Sequence, residues 1–161
     1  MDFKNPEHNS RSLIEKIFHG QPEKVRTEAA RIAERFTASP LFAQIRKAKR
    51  IFRELPFVLN ERHGRIDGVI DLLFQDNDGC WCVVDYKTAV GDEAKVKAAG
   101  YDFQIALYAL AAHEILGIVP RRGVLYFLKN EWSHEVRFDP ESFQETAKKV
   151  REIQDLILEQ K

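Results

Sequence analysis

The chain is poor in cysteine, with only Cys80 and Cys82 among 161 residues. They lie one residue apart in a stretch that reads as a strand, so they share a side as small apolar fillers, and a disulfide is not expected in a reducing compartment. A four-cysteine iron–sulfur cluster needs ligands that are missing here, so none is expected. Net charge is missing too: 25 Lys and Arg balance 25 Asp and Glu. That balance removes the global signature of a polyanion binder and leaves local patches, or a metal ion, as the means of holding phosphate. The N-terminus, MDFKNPEHNSRS, is polar, and no apolar run approaches the ~20 residues of a membrane helix. A cytoplasmic protein with no membrane association is expected. No GxxxxGK(S/T) phosphate loop occurs, so an ATP-driven motor of that kind is excluded. What is present is a globular composition, 44% hydrophobic and 31% charged. At this length that means one domain, residues 1–161, able to bury a core without staples.

Residues 1–9 read as flexible. Ser12 to Glu15 fits a capping box for a short helix ending at His19-Gly20. Residues Pro22 to Ala38 place Val25, Ala29, Ile32, Ala33 and Phe36 on one helical stripe. Ser39-Pro40 starts a further helix, LFAQIRKAKR, whose Arg46, Lys47, Lys49 and Arg50 are either a solvated end that complements the helix dipole or a phosphate contact. Ile51 to Leu59 reads as a strand, with Pro56 marking an edge position or a bulge, and residues 61–64 as a turn. Residues 89–97 are a loop or frayed helix. Gly100 breaks the chain and Asp102 caps a helix from Phe103 to Leu116, ended by Gly117. Arg122 to Lys129 is a strand that the crossover lays parallel in the sheet. Glu131-Trp132 then turns into an edge strand, His134 to Phe138. Asp139-Pro140-Glu141 opens a last helix running to about Leu158.

Residues 64–88 carry the chemistry. From Arg65 to Phe74, Ile66, Ile70, Leu72 and Phe74 alternate, which reads as a buried strand. Gln75-Asp76-Asn77-Asp78-Gly79 is a turn signal, and Cys80 to Thr88 is apolar again, so the two strands should pair as an antiparallel hairpin. Residues i and i+2 of a strand share a face; Asp85 and Lys87 point one way and Tyr86 the other. A charge inside an apolar hairpin must be paired or bound to a metal. Pairing across the hairpin can bring Asp71 beside Asp85, and two adjacent carboxylates suit a hard cation such as Mg²⁺, which keeps water and substrate phosphate as its other ligands. Lys87 reaches the same point, where an ammonium can stabilise developing phosphate charge or orient a water. Asp67 lies four residues from Asp71, about 13 Å along the strand, and is a poor ligand.

The run GxxD (Gly68 to Asp71), DxK (Asp85 to Lys87) and QxxxY (Gln104 to Tyr108) resembles the PD-(D/E)XK nuclease superfamily. Over roughly residues 35–130 it is most similar to the C-terminal nuclease domain of RecB and AddA type helicase-nucleases. The resemblance implies an α/β fold with a restriction-endonuclease-like core: a mixed central β-sheet flanked by helices in αβββαβ order, with an extra N-terminal helical region and a C-terminal helix. It implies a Mg²⁺- or Mn²⁺-dependent deoxyribonuclease acting as an exonuclease in double-strand break repair and recombination, with DNA as partner and a helicase motor supplied in cis or in trans. Asp71, Asp85 and Lys87 would be catalytic, and the backbone carbonyl of Tyr86 would join Asp71 and Asp85 on the metal. Gln104 would touch the DNA backbone or site groups, and Tyr108 would support the lysine or a phosphate; for Tyr108 a plain core role is the alternative. Glu54, before "PF", would orient the metal or a bound water, or else pair with a neighbouring arginine. The family's early-helix histidine, in a GxxxHxxLE context, has no counterpart: His8 and His19 sit in other contexts, and His63, His113 and His134 read as turn or surface residues. Two rival readings stand beside the nuclease: a catalytically inactive DNA-binding or scaffolding module, and an unrelated metal-dependent phosphohydrolase of small molecules.

Overall fold

The computed structural model describes residues 12, 14–61 and 64–159. Its elements follow as α1 (Glu23–Ala38), α2 (Pro40–Arg46), β1 (Arg50–Glu61), β2 (Gly64–Gln75), β3 (Trp81–Lys87), α3 (Glu93–Ala99), α4 (Tyr101–Leu116), β4 (Pro120–Phe127), β5 (Trp132–Arg137) and α5 (Pro140–Glu159). The strands form one sheet in the order β1-β2-β3-β4-β5. Pairing is antiparallel from β1 to β3, parallel between β3 and β4, and antiparallel again to β5. The sheet is therefore mixed, with the α3–α4 crossover supplying the parallel step. Pro56 lies on β1, an edge strand, as its missing N–H requires.

The β2–β3 hairpin closes through its turn residues. Asp76 accepts from the N–H groups of Asp78 and Cys80 at 3.0 and 2.9 Å, and Gly79 takes φ +86°, the left-handed backbone that glycine adopts without steric cost. Each face of the sheet has its own core. On one face Ile70, Leu73, Val83, Leu125 and Phe127 pack with Val96 of α3, Ile105 and Ala109 of α4 and Phe143 of α5. On the other, Leu72, Phe74, Cys82, Val84 and Tyr126 pack with Leu41, Phe42 and Ile45 of α2 and Phe36 of α1. Cys82 is fully buried, and burial pushes its thiol up to about 12. Both cysteines are free.

The regular alternation slips at one level. Phe52 and Leu55 of β1 reach the same core although three residues apart, as do Ile70 and Leu73 of β2. Between them lie Glu54 and Asp71, which face each other where the register passes from Arg53↔Leu72 to Leu55↔Ile70. Glu54 absorbs the slip by adopting φ +47°, a conformation that costs a non-glycine residue about 1 kcal/mol or more.

Several boundaries differ from expectation. The second helix stops at Arg46, with Lys47 as its C-cap, because the N–H of Lys49 bonds the carbonyl of Gln75 and Arg50 already belongs to β1. All four cations are exposed, but only Arg46 complements the helix end. Residues 93–99 are a helix rather than a loop: the Asp92 side chain caps it by accepting from the Lys95 N–H at 2.8 Å, and Gly100 closes it at φ +65°. That glycine also opens α4, so Asp102 lies in the first turn and is not the cap. Trp132 belongs to β5, and the turn before it uses Glu131 at φ +57°. His113 is on α4, stacked on Phe143, and His134 is on β5, so neither is in a turn. His19 is exposed in a turn. His8, His63, residues 1–9 and Leu13 of the expected capping box lie outside the described residues.

Candidate active site

Alternation along β3 decides which side chains meet. Val83 enters the α4-side core, and Asp85 and Lys87 follow on that face, while Tyr86 turns the other way to meet the Phe36 ring edge-on at 5.3 Å. Asp85 is 3% exposed. Its Oδ2 lies 2.8 Å from Lys87 Nζ, but off the direction of a hydrogen bond, so Oδ2 is buried without a directed donor. Burial raises the Asp85 carboxyl above its usual range; the Lys87 ammonium opposes this and the Asp71 charge adds to it.

Lys87 is held from three sides. Besides Asp85, its Nζ donates to Gln104 Oε1 at 2.6 Å and lies 4.3 Å over the Tyr101 ring. An ammonium only donates, so its bond fixes the Gln104 amide with the oxygen toward Lys87 and the nitrogen away. That nitrogen donates to the Tyr108 hydroxyl oxygen at 3.0 Å, leaving the hydroxyl proton to be directed elsewhere. Burial pushes the Tyr108 phenol up, so at neutral pH it remains a donor. Gln104 and Tyr108 share a helix face at i, i+4, and the Tyr108 ring meets Phe57 edge-on at 5.8 Å. Phe57 in turn lies over Gly68, its cross-strand partner, so closely that a Cβ there would stand 2.7 Å from the ring.

Asp71 sits where β2 leaves β3. The β2–β3 ladder ends at Leu72↔Val84; one step further in the same register Asp71 and Asp85 would be opposite each other. In place of a ladder bond, Asp71 Oδ2 accepts the Tyr86 N–H at 2.8 Å. The N–H and C=O of one strand residue leave on the same side, so the Tyr86 carbonyl is turned toward this opening as well.

Two carboxylates, one of them with its buried Oδ2 lacking a directed donor, and a backbone carbonyl would make an all-oxygen set suited to Mg²⁺ or Mn²⁺. Among the described residues no group of three or more His, Cys, Asp and Glu side chains is gathered to hold a metal ion. Glu54 is exposed, opposite Asp71 in register, and is not drawn into such a group. Asp67 pairs with Arg65 at 3.4 Å on the surface, away from this chemistry.

Tyr101 was not singled out from the sequence. The available signal was its i, i+3 spacing to Gln104 on one helix face. The bond from His134 Nε2 to Asp102 Oδ1, at 2.8 Å, joins residues 32 apart and had no local signal.

A family model for the PD-(D/E)XK nuclease superfamily matches residues 4–160. The chain is 36% identical over 112 residues to an ATP-dependent helicase/nuclease protein of Carboxydothermus hydrogenoformans, covering 60% of this chain and 10% of that protein. To the protein of the same name from Heliobacterium modesticaldum it is 34% identical over 114 residues, covering 58% and 8%. The chain thus spans about a tenth of the length of these relatives. The crystal structure of a candidate exonuclease from Eubacterium rectale matches with a TM-score of 0.60 and 14% identity, covering 95% of this chain and 65% of that one. This last likeness is one of fold.

Proposed function

Because the chain belongs to the PD-(D/E)XK nuclease superfamily, we propose that it hydrolyses phosphodiester bonds of DNA, with Asp71, Asp85 and Lys87 as the catalytic residues. The observation that carries this reading is the buried Asp85 carboxylate, paired with Lys87 at 2.8 Å and beside the opening where Asp71 meets the Tyr86 backbone. Asp71, Asp85 and the Tyr86 carbonyl would hold Mg²⁺ or Mn²⁺. When bound, such an ion polarises phosphate oxygens and makes water acidic enough to act as a nucleophile.

The remaining roles fall to the chain itself. Lys87 holds a positive charge at the site, fixed by Gln104 and Tyr101, and stabilises charge as it develops on the phosphate. Gln104 keeps Lys87 from swinging away. Tyr108 directs its hydroxyl proton at a phosphate oxygen of the substrate. Work beside a helicase motor extends the proposal from the names of the long relatives; exonucleolytic action in break repair and recombination is what the resemblance to RecB and AddA type nuclease domains implies.

The test is degradation of linear single- and double-stranded DNA with Mg²⁺ or Mn²⁺, comparing the unaltered chain with Asp85→Ala and Lys87→Ala. A loss of roughly a hundredfold or more in each variant is expected; equal degradation by all three overturns the assignment. The absence of a third acidic or histidine ligand among the described residues favours one rival, a module that binds DNA without cutting it. That rival predicts a retained complex with DNA and no metal-dependent cleavage by the unaltered chain.

A further inference from the structure

Two routes connect Lys87 to the far edge strand. The first is aromatic: Lys87 lies over Tyr101, whose ring is 6.1 Å from Phe127, which is 5.3 Å from Trp132, which stacks on His134 at 6.0 Å. The second is polar: His134 Nε2 bonds Asp102 Oδ1 at 2.8 Å, and Asp102 lies in the same first turn of α4 as Tyr101 and Gln104. Sheet register aligns both routes. Lys87 pairs with Phe127 and Phe127 with Trp132, while Asp85 pairs with Leu125 and Leu125 with His134.

The first turn of α4 has no side-chain cap of its own, and besides the Asp102–His134 bond Lys149 of α5 lies 4.9 Å over its Phe103 ring. The N-cap of α4 is Gly100, which supplies no side-chain hydrogen bond and is also the C-cap that closes α3. Yet this turn carries both groups on α4 that touch Lys87. We infer that Asp102 and His134 are positioning residues, a strut that ties the start of α4 to β5 and thereby sets Tyr101 and Gln104 against Lys87. The inference deepens the nuclease reading and rests on it for its catalytic consequence. The pair is partly exposed, 29% for His134 and 55% for Asp102, so its contribution to overall stability is small. Its effect is on geometry, where a small displacement of Gln104 or Tyr101 misplaces the ammonium.

The test compares His134→Phe, which keeps a ring against Trp132 and removes the bond, with Asp102→Ala, the double variant and the conservative Asp102→Asn. The bond-breaking single variants should lower kcat for DNA hydrolysis about three- to tenfold with KM within about twofold. The double variant should be no slower than the slower single, and Asp102→Asn, which keeps an acceptor for Nε2–H, should restore most of the rate. Independently of activity, 3-fluorotyrosine labels the four tyrosines. The Tyr101 fluorine resonance, assigned with Tyr101→Phe, should move in His134→Phe and in Asp102→Ala. Those of Tyr86 and Tyr126, on the other face, should not. An unmoved Tyr101 resonance, losses in kcat that multiply in the double variant, or no rescue by Asn overturns the strut. If the unaltered chain hydrolyses no DNA, the proposed function fails instead, and the fluorine spectra alone decide the positioning.

Discussion

Replacing Lys87 by Met isolates what the buried ion pair does to stability. The side chains of Asp85 and Lys87 are 5% and 16% exposed, so water is a poor substitute for the lost partner. Removing one member of a buried pair costs about 3–5 kcal/mol, because the other is left as an uncompensated charge. The partial access to Lys87 favours the lower end, about 3 kcal/mol. With a urea slope of about 2 kcal/mol/M for a chain of this size, the midpoint should fall by about 1.5 M at pH 7. Adding Asp85→Asn, nearly the same shape without the charge, should restore most of it. The pH dependence follows from linkage. Burial already raises the folded carboxyl of Asp85 above its unfolded value, with Lys87 opposing; deleting the ammonium raises it further. A raised folded pKa means that the folded state binds the proton more tightly. The deficit of Lys87→Met is therefore largest above that raised pKa, shrinks as pH falls through it, and is least below the ordinary carboxylate range. Urea titrations of the metal-free proteins at several pH values measure all three features. A variant as stable as the parent at pH 7, or a double variant no better than Lys87→Met, refutes this account of the pair.

Gly68→Ala should destabilise the fold by about 1–3 kcal/mol, since its Cβ would stand 2.7 Å from the Phe57 ring and force that ring against Tyr108; thermal denaturation reads it, and an unchanged Tm counts against the close approach. Tyr108→Phe keeps the packing on Phe57 but loses the acceptor for the Gln104 amide. It should cost about 1 kcal/mol or less in stability and lower kcat for DNA hydrolysis several-fold; a full-rate Phe variant removes the hydroxyl from the mechanism. Cys82 has its thiol pushed up to about 12 by burial, so at pH 8 a thiol reagent should leave it unmodified in the native protein and reach it only in denaturant. Rapid native modification of Cys82, read by peptide mass, contradicts its placement.

How much of this was legible in the sequence depends on the range of the interaction. Period-two alternation suffices to put Asp85 and Lys87 on one face and Tyr86 on the other, and the structure has them so, with Tyr86 against Phe36 of α1. The DNDG turn, the Asp139 cap and the Gly117 stop are local signals, and each element lies where its signal implies. Helix α3 was less legible because seven residues give barely two turns of periodicity and its cap is a single Asp92. Asp102 reads as a cap in the sequence, but the feature that closes one helix and opens the next is the left-handed Gly100. His134 reads as a surface residue because its partner is 32 residues away.

The glycine of the GxxD run and the strain at Glu54 have a common origin in the same pair of strands. Below Asp71 in the register, β2 is an ordinary middle strand, bonded to β1 on one side and β3 on the other through Leu72, Leu73, Phe74 and Gln75. Above it β2 keeps only β1, and the two run on together as a ribbon to Glu61 and Gly64. A two-stranded ribbon is marginal by itself, so its apolar face must be covered, and Leu55, Phe57, Leu59, Ile66 and Ile70 do this against α4. To present that face the alternation must shift by one at the branch point, and Glu54 carries the shift in its backbone. Gly68 then lets Phe57 lie flat across the ribbon and reach Tyr108. The slip thus leaves Asp71 with no ladder partner on β3 except the Tyr86 N–H. A strand that simply continued its ladder would have spent that N–H on a backbone carbonyl and closed the opening, which is why the acid stands at the level where the sheet divides.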